Sequence, residues 1–385
     1  MKKRLPLIAW IAIAIVLGIV CGQFFPLWLT RIFGTFNGLF SSLLGFCIPL
    51  IILGLIVSGI AEMGKGAGKM LLVTVALAYG FTLVAGFGTA AVADGIYPWL
   101  LRGATLTQLE GNAVEIAPYF SIAMPPLMDV TSALILAFIL GLGIPAVGGN
   151  GSMKRFFEDF NDVVTLVIVK VIVPLLPLYI FGVFLMMTVG GQMAVVVSVF
   201  IKIIVFLFIM TVLMLLLQFT IAGIVSKRNP LKMLWTMMAA YVTALGTSSS
   251  AATIPVTLRS AIKTGVNPAV ANFVIPLCAT IHLSGSTIKI TGLAVAMMML
   301  SGMPVELGTI AGFVMMLGVT MVAAPGVPGG AVMAALGLLT SILGLGDAQT
   351  GLIIAIYLAI DSFGTATNVT GDGAIANIID ALWKK

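Results

Sequence analysis

Gly246-Thr247-Ser248-Ser249-Ser250 and Pro325-Gly326-Val327-Pro328-Gly329-Gly330 interrupt two apolar segments, 232–263 and 307–345, in the second half of the chain. Their setting is apolar throughout. Of 385 residues, 61% are hydrophobic and 8% charged, against about 25% charged in an ordinary soluble domain. Runs of roughly 20 apolar residues, the length a helix needs to cross a hydrocarbon core, recur from end to end. The sequence therefore predicts an all-α integral membrane protein. Irregular backbone at membrane depth leaves amide and carbonyl groups that lipid cannot satisfy, so it survives only where it is buried in protein or lines a wet cavity. Two such breaks in comparable positions point to a binding site.

Working outward, apolar segments fall near 5–25, 36–63, 69–98, 127–147, 160–189 and 193–225. They are followed by the first interrupted segment, a nearly continuous span at 268–302, the second interrupted segment and a last span at 350–382. If both interrupted segments enter and leave on the same side, the chain has eight transmembrane helices and two re-entrant hairpins. Lys2, Lys3, Arg4, Lys65, Lys69, Lys154, Arg155, Lys227, Arg228, Lys232, Arg259, Lys263, Lys384 and Lys385 then share one side, and only Arg31 and Arg102 take the other. That asymmetry is the positive-inside pattern and predicts a multi-pass protein of the cytoplasmic (inner) membrane with both termini cytoplasmic. A full crossing by either interrupted segment would move every later loop to the other side and weaken the bias. The order of hairpin then span, at 232–302 and again at 307–382, suggests inverted repeats, a common plan of secondary transporters.

Composition excludes several classes. The count of three cysteines is odd, Cys47 and Cys278 lie in apolar runs, and the single histidine, His282, rules out a multi-histidine metal site. The net charge of +6 is spread along the chain, which speaks for membrane orientation and against a nucleic-acid partner. Met1-Lys2-Lys3-Arg4 before the apolar stretch Leu5 to Phe25 resembles a signal sequence. The apolar part exceeds the 7 to 15 residues of a cleavable core, so it is expected to be a retained first span. The 43 glycines and 17 prolines imply close helix packing and broken helices.

Three stretches could carry chemistry. Thr247-Ser248-Ser249-Ser250-Ala251-Ala252-Thr253-Ile254-Pro255 sets hydroxyls beside a helix break, where freed amides and the positive end of a helix dipole can bind a carboxylate. In the last span, Asp361, Thr365, Asn368 and Asp372 are spaced by 4, 3 and 4 residues and share one stripe of a helix. Carboxylates inside a membrane are costly and functional by default. Between the hairpins, His282, Ser286 and Lys289 follow at spacings of 4 and 3, and an ammonium deep in an apolar span needs an acidic partner, for which Asp372 and Asp361 are the candidates. Lys170 and Lys202 also sit in spans, where snorkelling or subunit contacts explain them.

At these residues the chain resembles the dicarboxylate/amino acid:cation symporter family, the glutamate-transporter-like proteins. The resemblance rests on Thr247-Ser248-Ser249-Ser250, on Gly326-Val327-Pro328-Gly329-Gly330, and on Asp361 with Asn368-Val369-Thr370-Gly371-Asp372, and it extends over nearly the whole chain. It implies a homotrimer in the bilayer, with a fixed scaffold and a transport domain that moves like an elevator. Residues 1–225 would be mainly scaffold and trimerisation spans, with spans 3 and 6 moving with the transport core at 226–385, and the second hairpin would be the outer gate. By the same resemblance, Ser249, Ser250 and the tip Val327, Pro328 and Gly329 would hold a substrate α-carboxylate with help from Asn368. Asp361 would take the amino group and Thr365 would line the side-chain pocket. No cofactor is implied beyond Na⁺ or H⁺ as coupling ion.

The departures bear on substrate and coupling. Acidic-amino-acid members carry an arginine where this chain has Gly364, so a small neutral amino acid is expected before aspartate or glutamate. The pattern is closer to the serine/threonine-transporting branch, and a dicarboxylate stays open if Lys289 or another cation reaches the pocket. The family's sodium motif Asn-Met-Asp-Gly-Thr stands here as His282-Leu283-Ser284-Gly285-Ser286, which removes an anionic oxygen at Ser284 and substitutes a ring nitrogen at His282. Asp372 and Asn368, which would contribute to a sodium site, are retained. One expectation is that Lys289 lies near Asp372 and takes the place of a bound cation. A channel and an intramembrane hydrolase, the latter using Ser248 to Ser250, His282 and Asp361 or Asp372, are the alternatives from other classes. Two dissimilar hairpins and buried opposite charges favour a carrier.

Overall fold

The computed structural model describes residues 7–62, 69–102, 117–148, 151–190, 193–324 and 329–383, and within them the chain is helical with no strand. The first part comprises α1 (Leu7–Cys21), α2 (Leu27–Glu62), α3 (Lys69–Leu100), α4 (Val130–Ala146), α5 (Ser152–Val167), α6 (Val173–Val189) and α7 (Met193–Ser226). A π-helical turn at Ile168–Ile172 joins α5 to α6 without a break. The second part comprises α8 (Pro230–Thr247), α9 (Ser250–Lys263), α10 (Pro268–Ile281), α11 (Ser284–Leu300), α12 (Leu307–Ala323), α13 (Gly330–Ser341), α14 (Asp347–Ala359) and α15 (Asp361–Trp383).

Helix starts follow their capping chemistry. Asn229 accepts the Lys232 N–H at 3.0 Å and Asn267 the Ala269 N–H at 2.9 Å, and in each case proline occupies the next position. Proline costs little there because its missing N–H would have had no partner in the first turn.

Among the described residues, five segments are long and apolar enough to cross a membrane: Leu27–Ser58, Lys69–Leu100, Ser152–Val189, Val199–Ser226 and Pro268–Leu300. The pair α14 and α15, bent by 63° at Ile360, makes a sixth if the two are one span. Shorter apolar helices cover Ala9–Cys21, Ile135–Ala146, Leu307–Val322 and Gly330–Ser341. Large apolar side chains such as Trp10, Leu72, Trp99 and Trp235 lie exposed on the outside, as expected of a surface solvated by lipid.

Both interruptions expected from the sequence are helix breaks. The first falls at Ser248 and Ser249, with Ser248 in the left-handed region at φ 49°, and α8 and α9 pack along each other on either side of it. At the second, α12 and α13 pack together and Gly329, at φ 75°, starts α13. Glycine takes that conformation without the Cβ clash that penalises other residues. The expected tip residues Val327 and Pro328 lie outside the described residues.

Two spans differ from expectation. The segment 268–302, expected to be nearly continuous, is broken at His282 and Leu283, between α10 and α11. His282 is thus in extended backbone, off the helical stripe of Ser286 and Lys289. The last span likewise divides into α14 and α15. Apolar content makes both segments look continuous, whereas at the His282 break a side-chain hydrogen bond, described below, occupies an amide that the break releases.

The helices sort by contact. α1, α2, α4, α5 and α6 pack on one another; α3 and α7 pack instead on α11 and α15; and α12, α13 and α14 touch both groups. α11 and α15 form the centre: every residue from Ser284 to Met298 is buried, as is nearly all of Asp361 to Asp380.

At one end of α15, Arg228 ties three segments together. Its guanidinium donates to Asn377 Oδ1 at 2.7 Å, to the Gly265 carbonyl at 2.6 Å and to Asp380 Oδ2 at 3.0 Å, while Asp380 Oδ1 accepts the Asn267 N–H. Only a planar fork of several donors reaches all these acceptors at once. Arg228→Ala removes the guanidinium from the buried Asp380 and is expected to cost about 3 kcal/mol, read as a lowered melting temperature in detergent. Arg228→Lys should recover only part of it, and an unchanged melting temperature for the alanine variant would show that the clamp does not hold the helices together.

Candidate functional site

Three helix ends and one helix flank converge on Asp361. The carboxylate belongs to the first turn of α15, where the helix dipole favours negative charge. One oxygen, Oδ2, accepts the Gly329 N–H at 2.8 Å, from the start of α13 in the second hairpin. The other, Oδ1, lies 2.9 Å from Lys289 Nζ on α11. Both side chains are buried, with relative exposures of 6% and 1%.

Three groups cradle the Lys289 ammonium. It donates to Asp361 Oδ1, approaches the Asp361 carbonyl at 3.3 Å, and lies 3.8 Å from the centroid of the Tyr357 ring. Gly364, one helical turn beyond Asp361, makes room for it. A Cβ at that position would strike Lys289 Cε and come within 2.5 Å of Nζ. The place where acidic-substrate members of the resembled family carry a cation on α15 is thus filled by a cation reaching across from α11.

A run of hydrogen bonds leads away from this pair. Tyr357 donates to Ser286 Oγ at 3.0 Å, and Asn368 Nδ2 donates to the same oxygen at 3.2 Å. Asn368 Oδ1 in turn accepts the Gly285 N–H at 2.8 Å, satisfying an amide freed by the helix break. Next to it, Ser284 Oγ accepts from Gln218 Nε2 at 3.3 Å.

The run ends at a second buried pair. His282 Nδ1 lies 2.9 Å from Asp372 Oδ1, and His282 Nε2 lies 3.0 Å from Gln218 Nε2. A carboxylate only accepts and an amide NH₂ only donates. His282 Nδ1 thus faces an acceptor and Nε2 a donor. Asp372 Oδ2 and Gln218 Oε1 are buried acceptors with no hydrogen-bond partner. Such groups are expensive in an apolar interior unless something else satisfies them.

Lys289 pairs with Asp361 rather than lying near Asp372, which corrects the expectation from sequence. Asp361 and Asp372 are eleven residues apart on one helix, about 16 Å at 1.5 Å per residue, so one ammonium cannot serve both. Lys289 faces the Asp361 end of α15, and His282 faces the Asp372 end.

The other expected residues are distributed as follows. Thr365 bonds back to the Asp361 carbonyl at 3.1 Å. Ser249 caps α9 through the Ala252 N–H, and Ser250 is buried at the first turn of that helix, in a hairpin that packs along α15. The tip is internally bonded: Thr247 and Thr253 hydroxyls are 3.0 Å apart and Thr253 donates to the Ser249 carbonyl. Asn368 and Ser286 sit between the two buried pairs and touch neither carboxylate in the bonds described above.

Two participants, Gln218 and Tyr357, are absent from the sequence expectations. Gln218 had a legible signal, an amide alone in the apolar 34-residue helix α7. Tyr357 had only its position four residues before Asp361.

The close fit at Gly364 gives a mutational test. Gly364→Ala should push Lys289 off Asp361 and lower the melting temperature in detergent, and pairing it with Lys289→Ala should recover part of the lost stability. A melting temperature equal to wild type in Gly364→Ala would mean that the ammonium does not need this notch.

Comparison with known proteins agrees with this geometry. The model of the sodium:dicarboxylate symporter family matches residues 7–382. The serine/threonine transporter SstT of Acinetobacter baumannii is 29% identical over 392 residues, covering 98% of this chain and 97% of the relative. SstT of Acinetobacter baylyi is 26% identical over 395 residues, with 99% and 98% covered. The neutral amino acid transporter B(0) of Mus musculus is 28% identical over 265 residues, 66% of this chain and 46% of that protein. With broken helices, paired intramembrane charges and a family match from end to end, the chain belongs to the sodium:dicarboxylate symporter family, a family of membrane transporters and not of enzymes.

Proposed function

We propose that the protein is a secondary symporter that carries a small neutral amino acid across the cytoplasmic membrane, driven by Na⁺ or H⁺. The observation that carries this reading is the charge balance at Asp361. A buried carboxylate beside the second hairpin suits a substrate ammonium, and Lys289, the cation paired with it, is already neutralised at 2.9 Å. Among the described residues, a second substrate carboxylate would find no free positive charge there. The names of the relatives, a serine/threonine transporter and a neutral amino acid transporter, support the same substrate class.

In this reading Asp361 takes the substrate ammonium. Ser249, Ser250 and the tip residues Val327, Pro328 and Gly329 take its carboxylate, where helix N-termini from two hairpins supply amides and positive dipole ends. Thr365 and Asn368 complete the pocket. The coupling ion belongs to the other end of the polar run. Asp372 Oδ2 and Gln218 Oε1 are unpartnered oxygens, a donor type suited to Na⁺, while the His282–Asp372 pair offers a site for a proton. His282 and Ser284 supply no additional anion, which favours fewer bound cations than an acid at position 284 would allow.

Eight crossings and two re-entrant hairpins, with both termini cytoplasmic, fit the apolar helices and the distribution of Lys and Arg. The sorting of contacts supports a division into a scaffold of α1, α2, α4, α5 and α6 and a moving part that includes α3 and α7. An elevator motion and a homotrimer are part of the proposal.

Uptake into proteoliposomes tests it. Serine, alanine or threonine should accumulate under an imposed sodium or proton gradient, and Asp361→Asn should lower that uptake at least a hundredfold. Preferred uptake of aspartate or succinate by the wild-type protein would overturn the assignment to neutral amino acids.

A further inference from the structure

The groups around Lys289 form a complete receptor for a primary ammonium. A carboxylate oxygen lies at 2.9 Å, a carbonyl oxygen at 3.3 Å and an aromatic face at 3.8 Å. The aromatic ring is itself held in place, since Tyr357 bonds to Ser286, which Asn368 also holds. The backbone is cut away at Gly364 to admit the Lys289 chain. Asp361 has no idle oxygen, because Lys289 holds Oδ1 and the Gly329 N–H holds Oδ2.

These facts meet a difficulty in the proposed function, on which the following inference rests. A substrate ammonium cannot join Asp361 without displacing one of these partners. Displacing Lys289 alone would leave a buried ammonium unpaired, which is strongly unfavourable. A zwitterion resolves this, because it brings a carboxylate along with its ammonium.

We propose that Lys289 is a tethered rival of the substrate's amino group: the substrate ammonium replaces the Lys289 ammonium at Asp361, and the incoming substrate carboxylate balances the charge so released. The pair Lys289 and Asp361 is neutral, and the pair plus a zwitterion is neutral again. An amine without a carboxylate would add one buried positive charge, and a carboxylate without an ammonium one buried negative charge. Lys289 thus makes the site selective for zwitterions and is a specificity-determining residue.

The proposal assigns opposite selectivities to the two halves of the pair. Lys289→Met leaves Asp361 alone with net charge −1, a site for an amine. Asp361→Asn leaves Lys289 alone with net charge +1, a site for a carboxylate. Binding of L-alanine, L-alaninol and L-lactate, which share a three-carbon frame, is measured at pH 7 in the detergent-solubilised full chain. Wild type should bind only L-alanine. K289M should bind L-alaninol at least tenfold more tightly than wild type does, and D361N should do the same for L-lactate. The double variant K289M/D361N should show neither gain, and its melting curve reports whether the fold survives neutralisation of the pair.

Wild type that binds none of the three while transporting another class of solute would refute the amino-acid reading itself. L-alanine binding in wild type with no gain of L-alaninol in folded K289M, and no gain of L-lactate in folded D361N, would overturn the competition while leaving that reading intact. Should one single variant not fold, the gain or its absence in the other decides the proposal. L-lactate binding by wild type that is lost in K289M would overturn it as well, because Lys289 would then take a carboxylate with no ammonium to replace it at Asp361.

Discussion

An ionised side chain in an apolar interior must be paired, and the centre of this protein is arranged around that requirement. Lys289 and Asp361 meet at 2.9 Å where α11 and α15 pack, both buried, with Tyr357 over the ammonium and the second hairpin's Gly329 N–H on the carboxylate. Each charge is the other's counter-ion there. The pair therefore fixes how α11 faces α15, why residue 364 has no side chain, and where the start of α13 must come.

A second constraint is that broken helices release backbone groups which lipid cannot satisfy. The break at His282 is answered locally: Asn368 accepts the Gly285 amide, and Gln218 reaches from α7 to Ser284 and His282. The break at Ser248 and Ser249 is answered by its own hydroxyls. Polar side chains at these breaks are bonded to the irregular backbone or to one another, and the two buried pairs mark the ends of one polar run. Substrate at the Asp361 end and coupling ion at the Asp372 end would communicate through Ser286 and Asn368, which contact the surroundings of both.

Much of this was legible in the sequence. The helical class followed from apolar run lengths, and the two hairpin breaks from Gly-Thr-Ser-Ser-Ser and Pro-Gly-Val-Pro-Gly-Gly. The stripe of Asp361, Thr365, Asn368 and Asp372 followed from a spacing that α15 reproduces. Spacing along one helix cannot tell which of two acids meets a lysine on another helix. That depends on the direction and register of packing, so the sequence leaves Asp361 and Asp372 both open as partners of Lys289, and of the two it is Asp361 that the structure pairs with it. The break at His282 was hidden because neither of its residues is glycine or proline, and it is stabilised by Gln218 and Asn368, 64 and 83 residues distant from their partners. Gly364 was recognised as a missing cation on α15, but not as the space that admits a cation from α11.

The family match and the names of the relatives say what such proteins carry; the charge balance at Asp361 says how this chain would choose among solutes. An experimental structure with L-serine bound, at a resolution that separates Lys289 Nζ from the Asp361 carboxylate, tests that balance most directly. The expected result is the serine ammonium within about 3 Å of Asp361, with Lys289 Nζ withdrawn toward the serine carboxylate. Serine bound while Lys289 keeps its 2.9 Å contact with Asp361 would contradict it.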